Sequence, residues 1–292
     1  MLKTGKQDGI FIITGANSGI GYEAAKAVLA EGVHVIMACR DEKKALAAMD
    51  KIRNNDPEAS MEFIHLDLAD LKSVKTFSEQ FLRKYDRLDV LINNAGVMAT
   101  PFGKTKDGFE MQFGTNHLGH FALTALLWDR LEKTVSSRVV TVSSIAHFNG
   151  IIHLDDLEAD SWYTPMKAYR QSKLANLLFA YELQRRLTEK NSSTISVSVH
   201  PGITATNIVK LPFPINHLKD LVLVNASKGA RPTVMGAMNS GLKGGEFIGP
   251  TGFRQAFGKA GILRSGDHSY DKKLWLRLWE VSEQMTGIKF KL

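Results

Sequence analysis

Short apolar runs alternate along this chain with longer amphipathic stretches, a rhythm that predicts strands and helices in turn. Residues 10–13 form a continuous run of β-branched and aromatic side chains, typical of a strand buried on both faces. Similar runs predict further strands at residues 34–38, 61–66, 90–92, 138–142, 194–199 and about 246–248. Because helical periodicity fills the intervals, the fold class is predicted to be α/β, a doubly wound parallel sheet with helices on both faces.

The amphipathic stretches predict the helices that connect these strands. Apolar side chains recur at helical spacing in residues 20–31, 42–54, 108–132 and 169–187, in a stretch that begins near residue 71, and in a C-terminal stretch of about 270–286. No linker, repeat or low-complexity tract divides the chain. Residues 1–292 are therefore predicted to form a single domain.

A glycine-rich loop, TGANSGIG at residues 14–21, follows the first predicted strand and opens the first predicted helix. Glycine lets the backbone turn tightly and approach a pyrophosphate, and the helix N-terminus offers free N–H groups to the phosphates. The spacing differs from G-x-G-x-x-G, and a simple turn is the alternative. The residues predicted to hold a dinucleotide here are Gly15, Asn17, Ser18, Gly19, Ile20 and Gly21.

The end of the second predicted strand indicates which dinucleotide is bound. An acidic residue at this position holds the ribose 2′-hydroxyl of NAD, whereas an arginine accommodates a 2′-phosphate. Cys39 occupies the expected acidic position and Arg40 follows it, which favours NADP(H). The alternative is that Asp41 caps the next helix beside a solvated Arg40.

Two further strand ends supply candidate cofactor contacts. Asp67, followed by Leu68, ends the third strand, where it either faces adenine or caps the helix that starts near residue 71. Asn94, Ala95 and Gly96 follow the fourth strand. Small residues there would let a loop lie against a cofactor, and an asparagine-rich turn is the alternative.

Tyr169 and Lys173 are the candidate acid–base pair. Residues four apart share one face of a helix, about 5–6 Å between their Cβ atoms. A phenol pKa of about 10 is too high for proton transfer near neutrality, and a neighbouring ammonium lowers it. An ordinary surface pair on an amphipathic helix is the alternative, and the glycine-rich loop upstream argues against it.

Composition narrows the function classes. The 292 residues are 44% hydrophobic and 23% charged, as in globular proteins, and the formal charge of +7 permits an anionic partner. No basic block in the sequence indicates nucleic-acid binding.

The only cysteine, Cys39, excludes a disulfide framework. The histidines lack carboxylate or cysteine partners at ligand spacing, so no metal is expected. A polar N-terminal stretch and the lack of an eighteen-residue apolar run predict a cytoplasmic protein without a transmembrane helix.

Four motifs occur in a fixed order: TGANSGIG at residues 14–21, NNAG at 93–96, a serine that ends the fifth predicted strand, and YRQSK at 169–173. With this ordered set the chain resembles the short-chain dehydrogenase/reductase family. The segments ACRD at 38–41, TNHLGHF at 115–121, SKLANLLF at 172–179 and HPG at 200–202 resemble its retinol-dehydrogenase-like branch, which includes the WW-domain-containing oxidoreductase. The resemblance covers about residues 9–250 and implies a Rossmann fold that binds a nicotinamide dinucleotide.

The resemblance implies a role for each matching residue. Tyr169 would be the general acid in reduction and the base in oxidation. Lys173 would lower the pKa of that phenol and bind the nicotinamide ribose, and both side chains would contact the cofactor. Ser144 rather than Ser143 would hydrogen-bond the substrate carbonyl, and Asn116 would hold a water that relays protons to Lys173. Three further residues would contact the cofactor: Pro201, Gly202 and Thr206.

Residues 203–230 follow the sixth predicted strand and contain an apolar, proline-broken stretch. Since ligands bind at the carboxyl ends of strands in open α/β sheets, this stretch is predicted to cover a lipophilic substrate, and a core helix is the alternative. The sequence thus predicts an NADP(H)-dependent oxidoreductase that interconverts a lipophilic alcohol and its aldehyde or ketone. A dinucleotide-sensing or interaction protein without turnover is the alternative function. Peripheral contact with an acidic membrane is compatible with the charge, and the chain is expected to be a monomer or a homodimer.

Overall fold

The computed structural model of the protein describes residues 8–203 and 225–292. Eight strands in these residues form one sheet, in the order β3-β2-β1-β4-β5-β6-β7-β8. The strands are β1 (Ile10–Thr14), β2 (His34–Cys39), β3 (Met61–His65), β4 (Val90–Asn93), β5 (Arg138–Val142), β6 (Ile195–Val199), β7 (Phe247–Pro250) and β8 (Ala260–Leu263). All seven predicted strands are present, and β1 to β7 are parallel. The α/β prediction of a doubly wound sheet is therefore confirmed.

Strand β8 departs from the sequence prediction. It pairs antiparallel with β7, Ile262 opposite Ile248, and the two strands are joined by a hairpin. Its four residues, AGIL, offer neither a continuous apolar run nor a clear alternation, so no periodic signal marks it. A short hairpin connection can join only antiparallel strands, which explains the one reversal of direction in the sheet.

The helices lie between the strands at nearly the predicted places. They are α1 (Gly19–Leu29), α2 (Glu42–Arg53), α3 (Leu71–Lys84), α4 (Met111–Phe113), α5 (Gly119–Leu126), α6 (Trp128–Lys133), α7 (Pro165–Glu189), α8 (Ala226–Gly229), α9 (Arg231–Met238) and α10 (Lys272–Thr286). Helix α10 corresponds to the predicted C-terminal helix. No helix within the two described ranges is both long and apolar enough to span a membrane.

The prediction of one long helix over residues 108–132 is wrong in detail. After α4 the chain passes through a π-turn, Gly114–Leu118, in which the Gly119 N–H donates to the Gly114 carbonyl. Helix α5 then ends at Leu126, and α6 starts separately at Trp128. A π-turn inserts one extra residue without changing the apolar pattern much, so periodicity does not reveal it, and such turns are frequent at functional sites.

Two apolar layers cover the faces of the sheet. On one face, α1, α2 and α9 pack against alternate strand residues such as Ile13, Met37 and Val140. On the other, α3, α5, α7 and α10 pack against the intervening residues, among them Ile12 and Leu91. The strands β1 to β3 fill one half of the sheet, and after β3 the chain returns to the centre, where β4 pairs with β1. In such sheets the crevice at the carboxyl ends of these two strands is the usual ligand site.

Candidate active site

The glycine-rich loop turns sharply at the carboxyl end of β1. Gly15 has a φ of +66°, and its N–H donates to the Ala38 carbonyl at 2.8 Å. A Cβ on Gly21 would lie 2.4 Å from the Gly15 carbonyl oxygen and 2.5 Å from the Asn94 Nδ2. The loop is therefore folded back on itself, and side chains at these two positions would open it.

The N-terminus of α1 differs from those of the longer helices around it. Its N-cap residue, Ser18, makes no side-chain capping hydrogen bond, and the first turn holds no acidic residue. Side chains do cap α2, α3, α7 and α10, through Asp41, Asp70, Thr164 and Asp271. The N–H groups at the start of α1 and the positive end of its dipole are thus left for an anion, which fits a pyrophosphate.

The residues after β2 lie beside this loop. The Cys39 thiol is buried beside the backbone of Gly15, Ala16 and Asn17, and burial raises its pKa to about 11. Asp41 accepts the Lys44 N–H at 3.0 Å as the N-cap of α2. Arg40 is exposed and forms no salt bridge within the described residues. The predicted capping role of Asp41 is confirmed, and Arg40 is free to meet a ligand.

Asp67 does not cap α3, so this alternative is wrong. Its carboxylate accepts the Ala69 N–H at 3.0 Å in a local turn, and Asp70 caps the helix instead. The carbonyl of Leu68 lies against Gly119, where a Cβ would approach it to 2.4 Å. This contact fixes the start of α5 beside the carboxyl end of β3.

Thr14 is a hydrogen-bond centre that the sequence analysis did not single out. Its buried hydroxyl accepts the N–H groups of Asn94 and Ala95, each at 2.9 Å. It also lies 2.9 Å from His120 Nε2, while His120 Nδ1 lies 2.8 Å from the Asn116 carbonyl. Since a carbonyl only accepts, Nδ1 carries the proton and the Thr14 hydroxyl donates to Nε2. One hydroxyl therefore joins the glycine-rich loop, the loop after β4 and the π-turn.

His120 stays neutral in this network, since burial lowers its pKa to about 4. A protonated ring would present two donors and lose the Thr14 bond. The signal that reveals this residue is spacing: His120 is four positions after Asn116, one helical turn away. Its partner Thr14 is 106 positions distant, which spacing along the chain does not reveal.

Asn116 lies in the π-turn beside the predicted catalytic lysine. Its amide pairs with the Val97 backbone, accepting the N–H at 2.8 Å and donating to the carbonyl at 2.9 Å. It also donates to the Ser172 hydroxyl at 2.9 Å. A Cβ on Gly96 would lie 3.0 Å from the Asn116 Oδ1 and 3.5 Å from the Lys173 Nζ, so these three residues converge at one point.

The serine pair after β5 divides into two environments. Ser143 is buried and donates its hydroxyl to the Lys173 carbonyl at 2.6 Å, which ties β5 to α7. Ser144 is only partly buried and forms a hydrogen bond with Tyr169. Ser144, not Ser143, therefore faces the phenol, in keeping with the expected division of roles.

Lys173 is buried without a carboxylate partner among the described residues. Its ammonium donates to the Val142 carbonyl at 3.1 Å, and burial lowers its pKa to about 8. Its Nζ lies 5.8 Å from the centroid of the Tyr169 ring. The lysine and tyrosine thus share one helix face, as the four-residue spacing predicts.

The pKa of the Tyr169 phenol differs from the sequence expectation. Burial raises it, and the hydrogen bond with Ser144 opposes that rise only in part. The expected lowering by Lys173 is not seen, because the ammonium is itself desolvated and directed at the Val142 carbonyl. Without cofactor the phenol therefore holds its proton at neutral pH.

His147 positions the segment that carries Ser144. Its Nδ1–H donates to the Ser144 carbonyl at 2.7 Å, and its Nε2 accepts the Gly266 N–H at 3.0 Å. Burial lowers its pKa to about 4. His117 and His200 are also buried, with pKa values lowered to about 3 by burial. These side chains pack and form hydrogen bonds in the interior.

The segment after β6 is only partly described. Pro201 and Gly202 are partly buried, and Gly202 has a φ of +77°. A Cβ on Gly202 would lie 2.4 Å from the Ala256 carbonyl oxygen, so the turn is pressed against the hairpin between β7 and β8. Thr206 and most of the predicted substrate segment, residues 203–230, lie outside the described residues.

The predicted site residues that are described meet along the carboxyl edge of the sheet. The glycine-rich loop, Arg40, the Asn94–Gly96 loop and the Ser144–Tyr169–Lys173 group follow β1, β2, β4 and β5 or pack beside them on α7. One end of this edge offers N–H groups that no described side chain caps and a guanidinium without a salt bridge in the described part of the chain. The other offers a hydroxyl, a phenol and an ammonium, which are groups that bind a carbonyl and move a proton.

The chain is similar in sequence and in structure to several known proteins. The family model described as short chain dehydrogenase matches residues 9–213. The chain is 38% identical over 287 residues to retinol dehydrogenase 12 of Mus musculus, covering 97% of this chain and 87% of that protein. It is 38% identical over 292 residues to polyprenol dehydrogenase of Homo sapiens, covering 97% of this chain and 86% of that one. A solved structure of an uncharacterized protein from Mycobacterium Paratuberculosis is 42% identical, with a TM-score of 0.83 over 100% of this chain and 97% of that chain.

Proposed function

We propose that this chain, which belongs to the short-chain dehydrogenase/reductase family and to its retinol-dehydrogenase-like branch, is an NADP(H)-dependent oxidoreductase that interconverts a lipophilic alcohol and its aldehyde or ketone. The observation that carries the proposal is the convergence of Ser144, Tyr169 and Lys173 beside the loop of Gly96. Asn116 completes this group from the π-turn.

The residues at the carboxyl edge suit a bound dinucleotide. The uncapped N-terminus of α1 would hold the pyrophosphate, and the compact turn of Gly15 and Gly21 lets the backbone approach it. The loop of Asn94, Ala95 and Gly96, held by Thr14, would lie along the cofactor. When bound, the nicotinamide supplies or accepts the hydride.

The side chains of the chain would supply the proton and the orientation. Ser144 would donate a hydrogen bond to the substrate oxygen, while the Tyr169 phenol transfers its proton to that oxygen during reduction. A phenol that is protonated at neutral pH suits this general-acid role. Lys173, fixed by the Val142 carbonyl, would stabilise the phenolate that forms and hold the nicotinamide ribose.

The preference for NADP(H) rests on Arg40. Its side chain is exposed directly after β2, with no salt bridge among the described residues. The neighbouring Asp41 is engaged as the N-cap of α2, so its carboxylate is not directed at a ribose. A guanidinium there would pair with a 2′-phosphate, whereas NAD requires an acceptor for its 2′-hydroxyl.

The substrate class is proposed from the relatives and from the sequence. The names of the two curated relatives, retinol dehydrogenase 12 and polyprenol dehydrogenase, refer to long apolar alcohols. The apolar stretch within residues 203–230 of this chain suits the same class. A dinucleotide-binding protein without turnover is the other candidate function, but it would not need a tyrosine and a serine held together at the site.

Titration with NADPH and NADH, followed by a panel of apolar aldehydes that includes retinal, tests the proposal. Loss of absorbance at the reduced-nicotinamide band is expected with NADPH and at least one apolar aldehyde. The matching alcohol with NADP should restore that absorbance. Binding of NADPH without consumption across a broad panel of aldehydes, ketones and alcohols would favour the non-catalytic candidate.

A further inference from the structure

Exposed apolar side chains gather at the hairpin that joins β7 to β8. Phe253 at the tip is 75% exposed and Phe257 is 39% exposed. On the second strand Ile262 is 59% exposed. Apolar side chains scattered singly over a surface need no explanation, but a group of them in one short segment marks an interaction surface.

The hairpin backbone holds these side chains outward. The Thr251 N–H donates to the Lys259 carbonyl and the Gly252 N–H to the Phe257 carbonyl, each at 2.8 Å. Two successive residues at the tip adopt left-handed conformations, Arg254 with a φ of +49° and Gln255 with a φ of +57°. Such strain persists only where the surrounding structure enforces it, which indicates that the turn beside Phe253 has a defined shape.

The charge of the same segment is entirely positive. Residues 251–263 contain Arg254 and Lys259 and no acidic residue. The guanidinium of Arg254 lies 5.3 Å from the centroid of the Phe253 ring, so a cation and an aromatic side chain share the tip. The following cation, Arg264, is paired with Asp267 at 2.8 Å and adds no net charge. Apolar side chains combined with cations suit the headgroup region of an anionic bilayer.

The hairpin contacts the segment that follows β6 at the carboxyl edge of the sheet, the edge that carries the candidate active site. The Ile203 N–H donates to the Ala256 carbonyl at 3.2 Å, and Gly202 packs against the same carbonyl. Gly202 and Ile203 follow the carboxyl end of β6 and lead into the predicted substrate segment. Ile203 is itself 38% exposed, which extends the apolar surface toward the site.

We propose that the tip of this hairpin, residues 251–259, docks the protein on an anionic lipid bilayer, with the active-site mouth turned toward the membrane. This inference rests on the proposed function, since a lipophilic alcohol or aldehyde dissolves in the bilayer and would enter and leave the site from it. Phe253 and Phe257 would insert at the boundary between headgroups and acyl chains. Arg254 and Lys259 would contact the anionic headgroups.

Co-sedimentation with lipid vesicles tests the docking without reference to activity. The protein should sediment with vesicles that contain phosphatidylserine and much less with pure phosphatidylcholine, and high salt should weaken the binding. Phe253→Ser should lower the partition coefficient by about ten-fold, since it removes an aromatic ring that would leave water for the bilayer. Arg254→Gln should lower it by about five-fold, the usual effect of one cation near such a surface.

Val135→Ser is the matched control. Val135 is 78% exposed, but it lies between α6 and the start of β5, at the amino ends of the strands and away from the hairpin tip. This variant should bind vesicles like the wild type. The docking proposal is overturned by equal binding to both vesicle types, by unchanged binding of Phe253→Ser, or by an equal loss in Val135→Ser. It is also overturned if the wild type self-associates in sedimentation velocity and Phe253→Ser does not, because the tip would then bind a second copy of the chain.

A water-soluble aldehyde, assayed without vesicles, separates this proposal from the proposed function. NADPH consumption should be the same in the wild type and in Phe253→Ser, because the hairpin tip is not part of the catalytic group. If neither protein consumes NADPH with any aldehyde, the enzymatic proposal fails, while sedimentation still decides whether the hairpin binds lipid.

Discussion

Replacement of Thr14 by valine should weaken both the fold and the cofactor site. Valine has nearly the same shape as threonine but lacks the hydroxyl. In the wild type that hydroxyl accepts the N–H groups of Asn94 and Ala95 and donates to His120 Nε2. The Ala95 N–H and the His120 Nε2 would then lose their partner, and the Asn94 N–H would keep only its 3.0 Å hydrogen bond to the Ile92 carbonyl, at a position where Thr14 itself is 0% exposed.

The magnitude follows from the number of groups left without a partner. An unsatisfied buried donor or acceptor costs about 1–3 kcal/mol. The three contacts share one oxygen, so their costs do not simply add, and we expect the free energy of unfolding to fall by about 3 kcal/mol. The loop of Asn94 and Ala95 would also be held less firmly against Gly15, since it would keep the bond from the Asn94 Nδ2 to the Thr14 carbonyl but lose both bonds to the hydroxyl. We expect NADPH to bind about ten-fold more weakly, a difference of about 1.4 kcal/mol.

Thr141→Val is the control for the Thr14 variant. Thr141 is equally buried, in the neighbouring region of β5, but its hydroxyl has no hydrogen-bond partner among the described residues. Removing a desolvated and unpaired hydroxyl should leave the free energy of unfolding unchanged or raise it by about 1 kcal/mol. Urea unfolding followed by circular dichroism measures the stability, and fluorescence titration measures NADPH binding. Equal stability losses in the two variants, or none in Thr14→Val, would refute the reasoning.

Three further predictions follow from the site. Arg40→Ala should weaken NADPH binding at least ten-fold and NADH binding very little, as measured by titration with both cofactors. Equal losses of affinity would contradict the assignment of Arg40 to the 2′-phosphate. The pKa of Lys173 is lowered to about 8 in the folded chain, against about 10.4 for a free lysine. The unfolded chain therefore keeps this proton up to a higher pH than the folded chain. Relative to Lys173→Met, the unfolding free energy of the wild type should rise by about 3 kcal/mol between pH 8 and 10.4. The pKa of His120 is lowered to about 4, so stability should fall as pH drops from 6.5 to 4, and His120→Gln should reduce that fall by up to about 3 kcal/mol in urea unfolding.

Much of the fold could be read from periodicity because parallel strands are buried on both faces. The run at residues 10–13 and its counterparts are continuous apolar segments, and each became a strand of the sheet. Strand β8 lies at the sheet edge, where its residues are only partly covered, so burial imposes no such pattern on AGIL. Periodicity did not predict the π-turn at Gly114–Leu118 either, because one inserted residue shifts the helix face without breaking the apolar pattern.

The candidate site was likewise predictable from the sequence only in part. The pairing of Tyr169 with Lys173 depends on helical spacing, which sequence displays directly. The hydrogen bonds of Thr14 with His120, and of His147 with Gly266, join residues more than one hundred positions apart. Only the folded chain brings these groups together. The raised pKa of the Tyr169 phenol is likewise an effect of burial, which the four-residue spacing does not convey.

The central claim is that Tyr169 transfers the proton in a reaction that consumes NADPH. The most direct test compares the wild type with Tyr169→Phe in two measurements, NADPH binding by titration and NADPH consumption with an apolar aldehyde that the wild type reduces. Phenylalanine keeps the ring and removes only the hydroxyl. We predict that binding stays within about two-fold and that kcat falls by at least the 10²–10⁴-fold usual for a lost general acid. Turnover by Tyr169→Phe at a substantial fraction of the wild-type rate, with cofactor binding intact, would contradict the account.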